Sequence, residues 1–124
     1  MLEDIKIKVE TKFLGRQEQK DAEPAFVFSY KVTIQNLGNQ RVQLLRRYWL
    51  VTNGDGEKVE VAGDGVVGKQ PLIEPNQSFD YTSASMLKTP VGTMEGYYEF
   101  ELFDGSTKRA AIPIFSLAIP NSLH

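Results

Sequence analysis

The chain has 124 residues, 41% of them hydrophobic and 24% charged, with a formal net charge of -2 and no cysteine. Such a length and balance predict one globular domain spanning 1–124. The lack of cysteine excludes disulfides, thiol nucleophiles, iron-sulfur clusters and thiolate zinc sites. Acidic and basic residues are interspersed, so no nucleic-acid footprint is visible, and no apolar run reaches membrane-spanning length.

The amino-terminal MLEDIKIKVE alternates charged and apolar residues without an apolar h-region. It reads as a first strand rather than a secretion signal, and the expected location is the cytoplasm. Ile5, Ile7, Val9 and Phe13 fall on one face of this strand, with Lys6, Lys8, Glu10 and Lys12 on the other. After a polar stretch from Gly15 to Pro24, the next strand places Phe26, Phe28, Tyr30, Val32 and Ile34 on its core side. Asn36–Asn39 reads as a turn. The third strand, Arg41 to Thr52, is apolar at both parities, which suggests that both faces are covered. Trp49 is expected to point inward as the largest apolar group, with Arg46 and Arg47 at the rim.

Asn53–Gly56 (NGDG) predicts a hairpin into Glu57–Val61, because Asn and Gly accept positive φ at low cost. Gln77–Ser83 forms a further candidate strand with Phe79 and Tyr81 on one side. From Thr93 to Phe103, Met94, Tyr98, Phe100 and Leu102 alternate with outward Glu95, Glu99 and Glu101. Asp104–Ser106 turns into a last strand, Lys108 to about Ile119, in which Pro113 predicts a bulge or an edge position. Helical periodicity is absent. About seven strands at this spacing predict an all-β, two-sheet antiparallel sandwich of immunoglobulin or fibronectin type III kind, and a Trp without an intersheet disulfide favours the latter. Tyr97 or Tyr98 is a candidate tyrosine corner, although the parity of Tyr98 favours an ordinary core aromatic.

Little of the chain suggests catalysis. The sole histidine, His124, is terminal, so neither a serine-histidine pair nor a histidine metal site can be assembled. The run GDGVVGKQPLIEP contains GxGxxG, but Pro71 and Pro75 deny it the helix that a dinucleotide site requires. Gly63, Gly65 and Gly68 offer two readings: an anion-binding nest of backbone NH groups, or a loop that needs positive φ or close approach. Lys69 alone supplies nearby positive charge, and Asp64 opposes an anion. Asp55, Glu57, Glu60 and Asp64 are weak candidates for Mg or Ca, without the twelve-residue EF-hand pattern. The competing reading is a solvated hairpin tip. No cofactor is expected.

GDGVVGKQPLIEPNQSFDYTS, followed by TPVGTMEGYYEF and preceded by RRYWLVTNGDG, resembles the ApaG family over nearly the whole chain. The resemblance implies a fibronectin type III-like sandwich that occurs as a free-standing bacterial protein and as a carboxy-terminal domain of certain F-box proteins. It also implies an indirect link to cobalt resistance and magnesium efflux. No catalytic residues accompany it, and it marks Gly63, Gly65, Gly68, Gln70 and Pro71 as contact positions. The resulting expectation is a non-catalytic module that binds an unidentified protein partner through a sheet face and the loop Gly63 to Pro71, with Asp64, Val66 and Lys69 among the contacts. The alternatives are a nucleotide or pyrophosphate sensor, or feeble hydrolase, built on the glycine loop, and a direct Mg or Co binder. The sequence leaves a homodimer open.

Overall fold

The computed structural model describes residues 2–120, so His124 lies outside the described residues. Eight strands follow in order: β1 Ile5–Gln19, β2 Ala22–Asn36, β3 Val42–Asn53, β4 Lys58–Asp64, β5 Leu72–Ile73, β6 Ser78–Leu87, β7 Val91–Leu102 and β8 Thr107–Ala118. They pair antiparallel into two sheets, one ordered β1-β2-β6 and the other β4-β3-β7-β8 with β5 added to β3. This is the expected sandwich, with the short β5 as an eighth strand. Its fourth strand joins β3, whereas a constant-type immunoglobulin domain adds its fourth strand to the other sheet. The polar stretch from Gly15 to Pro24 is mostly strand, because β1 and β2 continue pairing out to Gln19 opposite Ala22.

β3 owes its double apolar parity to a bulge. Leu44 pairs with Phe100 and Arg46 with Glu99, leaving Leu45 as the extra residue. An inserted residue flips every later side chain to the other face. Val42 and Leu44 therefore point inward before the bulge, and Trp49 points inward after it, with only 2% of its surface exposed. The outer face holds Tyr48 and Leu50, so the two apolar parities of β3 belong largely to one buried side read in two registers. Pro113 behaves as expected on both counts: β8 is an edge strand, and its register shifts between Phe115 opposite Met94 and Ile112 opposite Gly96.

The core is one cluster in which rings from both sheets meet edge to face. Trp49 packs against Tyr30, Tyr98 and Phe115 with centroids 5.4, 6.2 and 5.8 Å away. Its Nε1 is buried without a hydrogen-bond partner. Tyr98 is a core aromatic rather than a corner, and its hydroxyl bonds the hydroxyl of Tyr81 across the sandwich. Burial raises both hydroxyls well above their ordinary value of 10.0. Asn36, the one fully buried polar residue among those described, joins three segments. Its Nδ2 donates to the carbonyls of Gln40 and Ile73, while its Oδ1 accepts from the Gly38 NH. The turn at Asn36–Asn39 is thereby tied to β5.

Candidate functional site

The run from Gly63 to Pro71 forms a compact hairpin fastened to the β3 bulge. Val66 and Lys69 exchange two backbone hydrogen bonds of 2.8 and 2.9 Å around Val67 and Gly68. Both central residues have positive φ, 43° and 78°, which defines a type I′ turn. The carbonyl freed by the bulge at Leu45 accepts the Gly65 NH at 2.7 Å and the Gln70 side-chain amide at 3.0 Å. Gln43 donates back to the Gln70 carbonyl, and the Leu44 NH donates to the Pro71 carbonyl. Arg47 closes the arrangement, with one guanidinium nitrogen donating to the carbonyls of Asp64 and Gly65 at 3.0 and 2.9 Å. Gly63 is small enough to let that guanidinium lie across it, since an added Cβ would sit 2.9 Å from Nη2.

This geometry sorts the residues singled out in the sequence. The NH groups of Gly65, Val66 and Lys69 are spent within the protein, and Gln70 and Pro71 bind the hairpin to β3. Val66, expected among the contact residues, is wholly buried because it seals the core beneath the turn. Val67 takes the outward place with 54% exposure. A β-branched residue held at positive φ is strained, and such strain concentrates where a surface has a use.

The carboxylates do not converge. The NH groups of Asp55 and Glu57 donate to Asn53 Oδ1, and Asn53 Nδ2 donates to Glu57 Oε1 at 3.0 Å. Asp64 stands at the opposite end of β4, roughly 20 Å away at about 3.3 Å per strand residue. Glu60 faces outward between them, paired with Leu50. Among the described residues no group of three His, Cys, Asp or Glu is placed to hold a metal ion.

Beside the hairpin, the outer face of the larger sheet carries a feature that the sequence reading missed. Tyr48 and Tyr97 are cross-strand partners whose rings stack at 5.0 Å and 23°. The Arg109 guanidinium lies 4.3 Å from the Tyr97 ring centroid. Glu99 bridges Arg109 and Arg46 at 3.8 and 3.5 Å, and all three side chains border the aromatic pair. Partial desolvation, reinforced by Glu60, raises the Tyr48 hydroxyl above its ordinary value. Together with Gly63 and Asp64 these side chains border a shallow recess of about 510 Å³. The legible signal was the outward parity of Tyr97, opposite to that of Tyr98. Once the bulge is known, Tyr48 takes the matching place.

The described residues thus define a small, helix-free antiparallel β-sandwich whose glycine hairpin is anchored to β3 beside an aromatic, arginine-bearing sheet face. The ApaG domain family matches residues 16–102. The chain belongs to that family. It is 52% identical over 120 residues to Protein ApaG of Edwardsiella ictaluri, covering 97% of this chain and 95% of that one. Protein ApaG of Enterobacter sp. is 50% identical over 118 residues, covering 95% and 94%. Among solved structures, a Northeast Structural Genomics Consortium X-ray target superposes with a TM-score of 0.93 at 40% identity, covering 98% of this chain and 91% of that one. The putative ApaA protein from Bordetella pertussis gives a TM-score of 0.88 at 37% identity, covering 96% of each. No helix of the described residues is long and apolar enough to cross a membrane.

Proposed function

We propose that this chain is a non-catalytic, cytoplasmic binding module that docks a protein partner on the outer face of the β4-β3-β7-β8 sheet and the adjoining glycine hairpin. The observation that carries the reading is the stacked Tyr48–Tyr97 pair with Arg46 and Arg109 beside it. Aromatic and arginine side chains on a rigid sheet are the residue types that dominate protein interfaces. Strained, exposed Val67 stands at the tip of the adjoining hairpin. The internal pairing of Gly65, Val66 and Lys69 counts against an anion cradle, and the separation of Asp55 and Glu57 from Asp64 counts against a shared cation site. The link to cobalt resistance and magnesium efflux that the family resemblance implies is then indirect, through the partner.

Photocrosslinking in cells from positions 67 and 97 tests the proposal. The same partner should be captured from both positions and lost in a folded Tyr48→Ala/Tyr97→Ala variant, which should also fail to complement a cobalt-sensitive deletion strain. A wild-type melting temperature that rises with ATP and magnesium, with no adduct from either position, would refute it in favour of a nucleotide sensor.

A further inference from the structure

Each sheet edge but one carries a guard against pairing with another chain. β1 presents Lys6, Lys8 and Lys12 and has two register shifts. β8 has Pro113 and a shift, and β4 has Lys58 and Glu60. Lysines, prolines and bulges are the usual devices that blunt an edge. β6, with the sequence SFDYTSASML, has none of them. Its register with β2 runs unbroken from Leu87 opposite Phe26 to Ser78 opposite Gln35. Its one charge, Asp80, already faces Lys31 of β2 at 3.6 Å.

The larger sheet also overhangs this edge. The sheets are joined on the far side, where the Leu2 NH donates to the Arg109 carbonyl of β8. Counting from there, the two strand orders set β1, β2 and β6 against β8, β7 and β3, so that among the described residues β4 has no strand opposite it. Val59 and Val61 share the inward parity of Val51 and Trp49 yet are 60% and 42% exposed. Between them and the Ala84–Leu87 end of β6 runs a groove of about 430 Å³ whose only charged lining residues among those described, Glu57 and Lys88, stand at the NGDG end. A constant-type immunoglobulin sandwich carries its fourth strand in this position, on the edge of strand E.

We propose that β6 accepts an extended segment of a partner protein as a fourth strand of the smaller sheet. The segment is apolar at alternate residues, which pack up against Val59 and Val61, and carries little charge, to suit the neutral walls. A second copy of this chain does not fit. Two-fold antiparallel pairing of β6 with β6 would drive the overhanging β4 of each copy into the space held by β3 of the other, whereas a lone strand fills one strand's width. Main-chain hydrogen bonds supply the affinity and the alternate side chains the specificity. The inference rests on reading the chain as a docking module but uses a different surface.

Panning the full chain against a phage-displayed library of random linear dodecapeptides tests this. Enriched peptides should alternate apolar and polar residues, protect alternate β6 amides from hydrogen exchange, and bind a Val59→Lys/Val61→Lys variant at least tenfold more weakly. Binding to Tyr48→Ala/Tyr97→Ala should be unchanged. If the lysine variant melts early, Val59→Ser/Val61→Ser replaces it, with the same loss expected. Peptides without alternation, or ones that protect the Val66–Lys69 turn instead, overturn strand addition and leave the docking reading intact. No enrichment at all, or a dimer with protection confined to β6, overturns it as well.

Discussion

Alanine substitutions at Gly65 and Gly68 separate an architectural glycine hairpin from a ligand-binding one. Both residues have positive φ, 63° and 78°, so each alanine meets a backbone penalty of about 1 kcal/mol. At Gly68 that is the whole cost, because nothing lies within 4 Å of the added Cβ. At Gly65 the Cβ would fall 2.9 Å from the carbonyl carbon of Lys69 and closer still to its oxygen. That oxygen accepts the Val66 NH, so relieving the clash means opening the turn and giving up a hydrogen bond worth about 1 kcal/mol, or more if the NH is left buried. Gly65→Ala should therefore cost about 2 to 4 kcal/mol and Gly68→Ala about 1 kcal/mol. Urea unfolding followed by Trp49 fluorescence resolves the two: with a slope of about 1.5 kcal/mol per molar, a 3 kcal/mol loss moves the midpoint by about 2 M. Equal midpoints for the two variants would refute the close-approach reasoning. A nucleotide-dependent stabilisation of wild type that vanished in Gly65→Ala would show that the hairpin serves a phosphate.

Trp49→Ala should destabilise the domain by about 3 to 5 kcal/mol, because the indole fills the centre of an aromatic cluster drawn from both sheets; a melting temperature within a few degrees of wild type would contradict this. Stability should fall above pH 10. Burial keeps Tyr81 and Tyr98 neutral in the folded state beyond the pH at which the unfolded chain ionises them, so their contribution is complete below about pH 10 and declines by about 1.4 kcal/mol per pH unit for each tyrosine above it. A Tyr81→Phe/Tyr98→Phe variant, compared by denaturant titration at pH 9 and 11, should lose most of that slope. Arg47→Ala should speed amide exchange across Asp64–Lys69 while leaving the β1–β2 amides unchanged, because its guanidinium holds the Asp64 and Gly65 carbonyls. Val67→Asn should stabilise by about 1 kcal/mol in thermal melts, since asparagine accepts positive φ more readily than a β-branched residue, and it should weaken partner capture from position 97.

The faces of β1, β2 and β7 were legible in the sequence because a half-buried strand alternates with period two, and that period is local. Phe28, Tyr30, Val32 and Ile34 are all buried where the alternation puts them. Turn chemistry is equally local, and Asn53–Gly56 reverses the chain as its residues predict, with Gly56 at a φ of 82°. The absence of cysteine likewise needed no structure to exclude thiolate chemistry. Tertiary structure decided the rest. One extra residue, Leu45, swaps the two faces of β3, and its carbonyl captures Gly65 and Gln70 from 20 and 25 residues further along. Nothing within the run Arg41 to Thr52 marks which residue is the extra one, because the bulge exists only relative to the pairing of β7 alongside. Val66 and Val67 are chemically identical neighbours, yet a turn anchored on that bulge buries one and exposes the other. The Tyr48–Tyr97 pair and the open β6 edge have the same origin. A strand's sequence specifies its two faces, but which strand lies beside it, and whether any lies opposite, is settled by long-range pairing that no local pattern records.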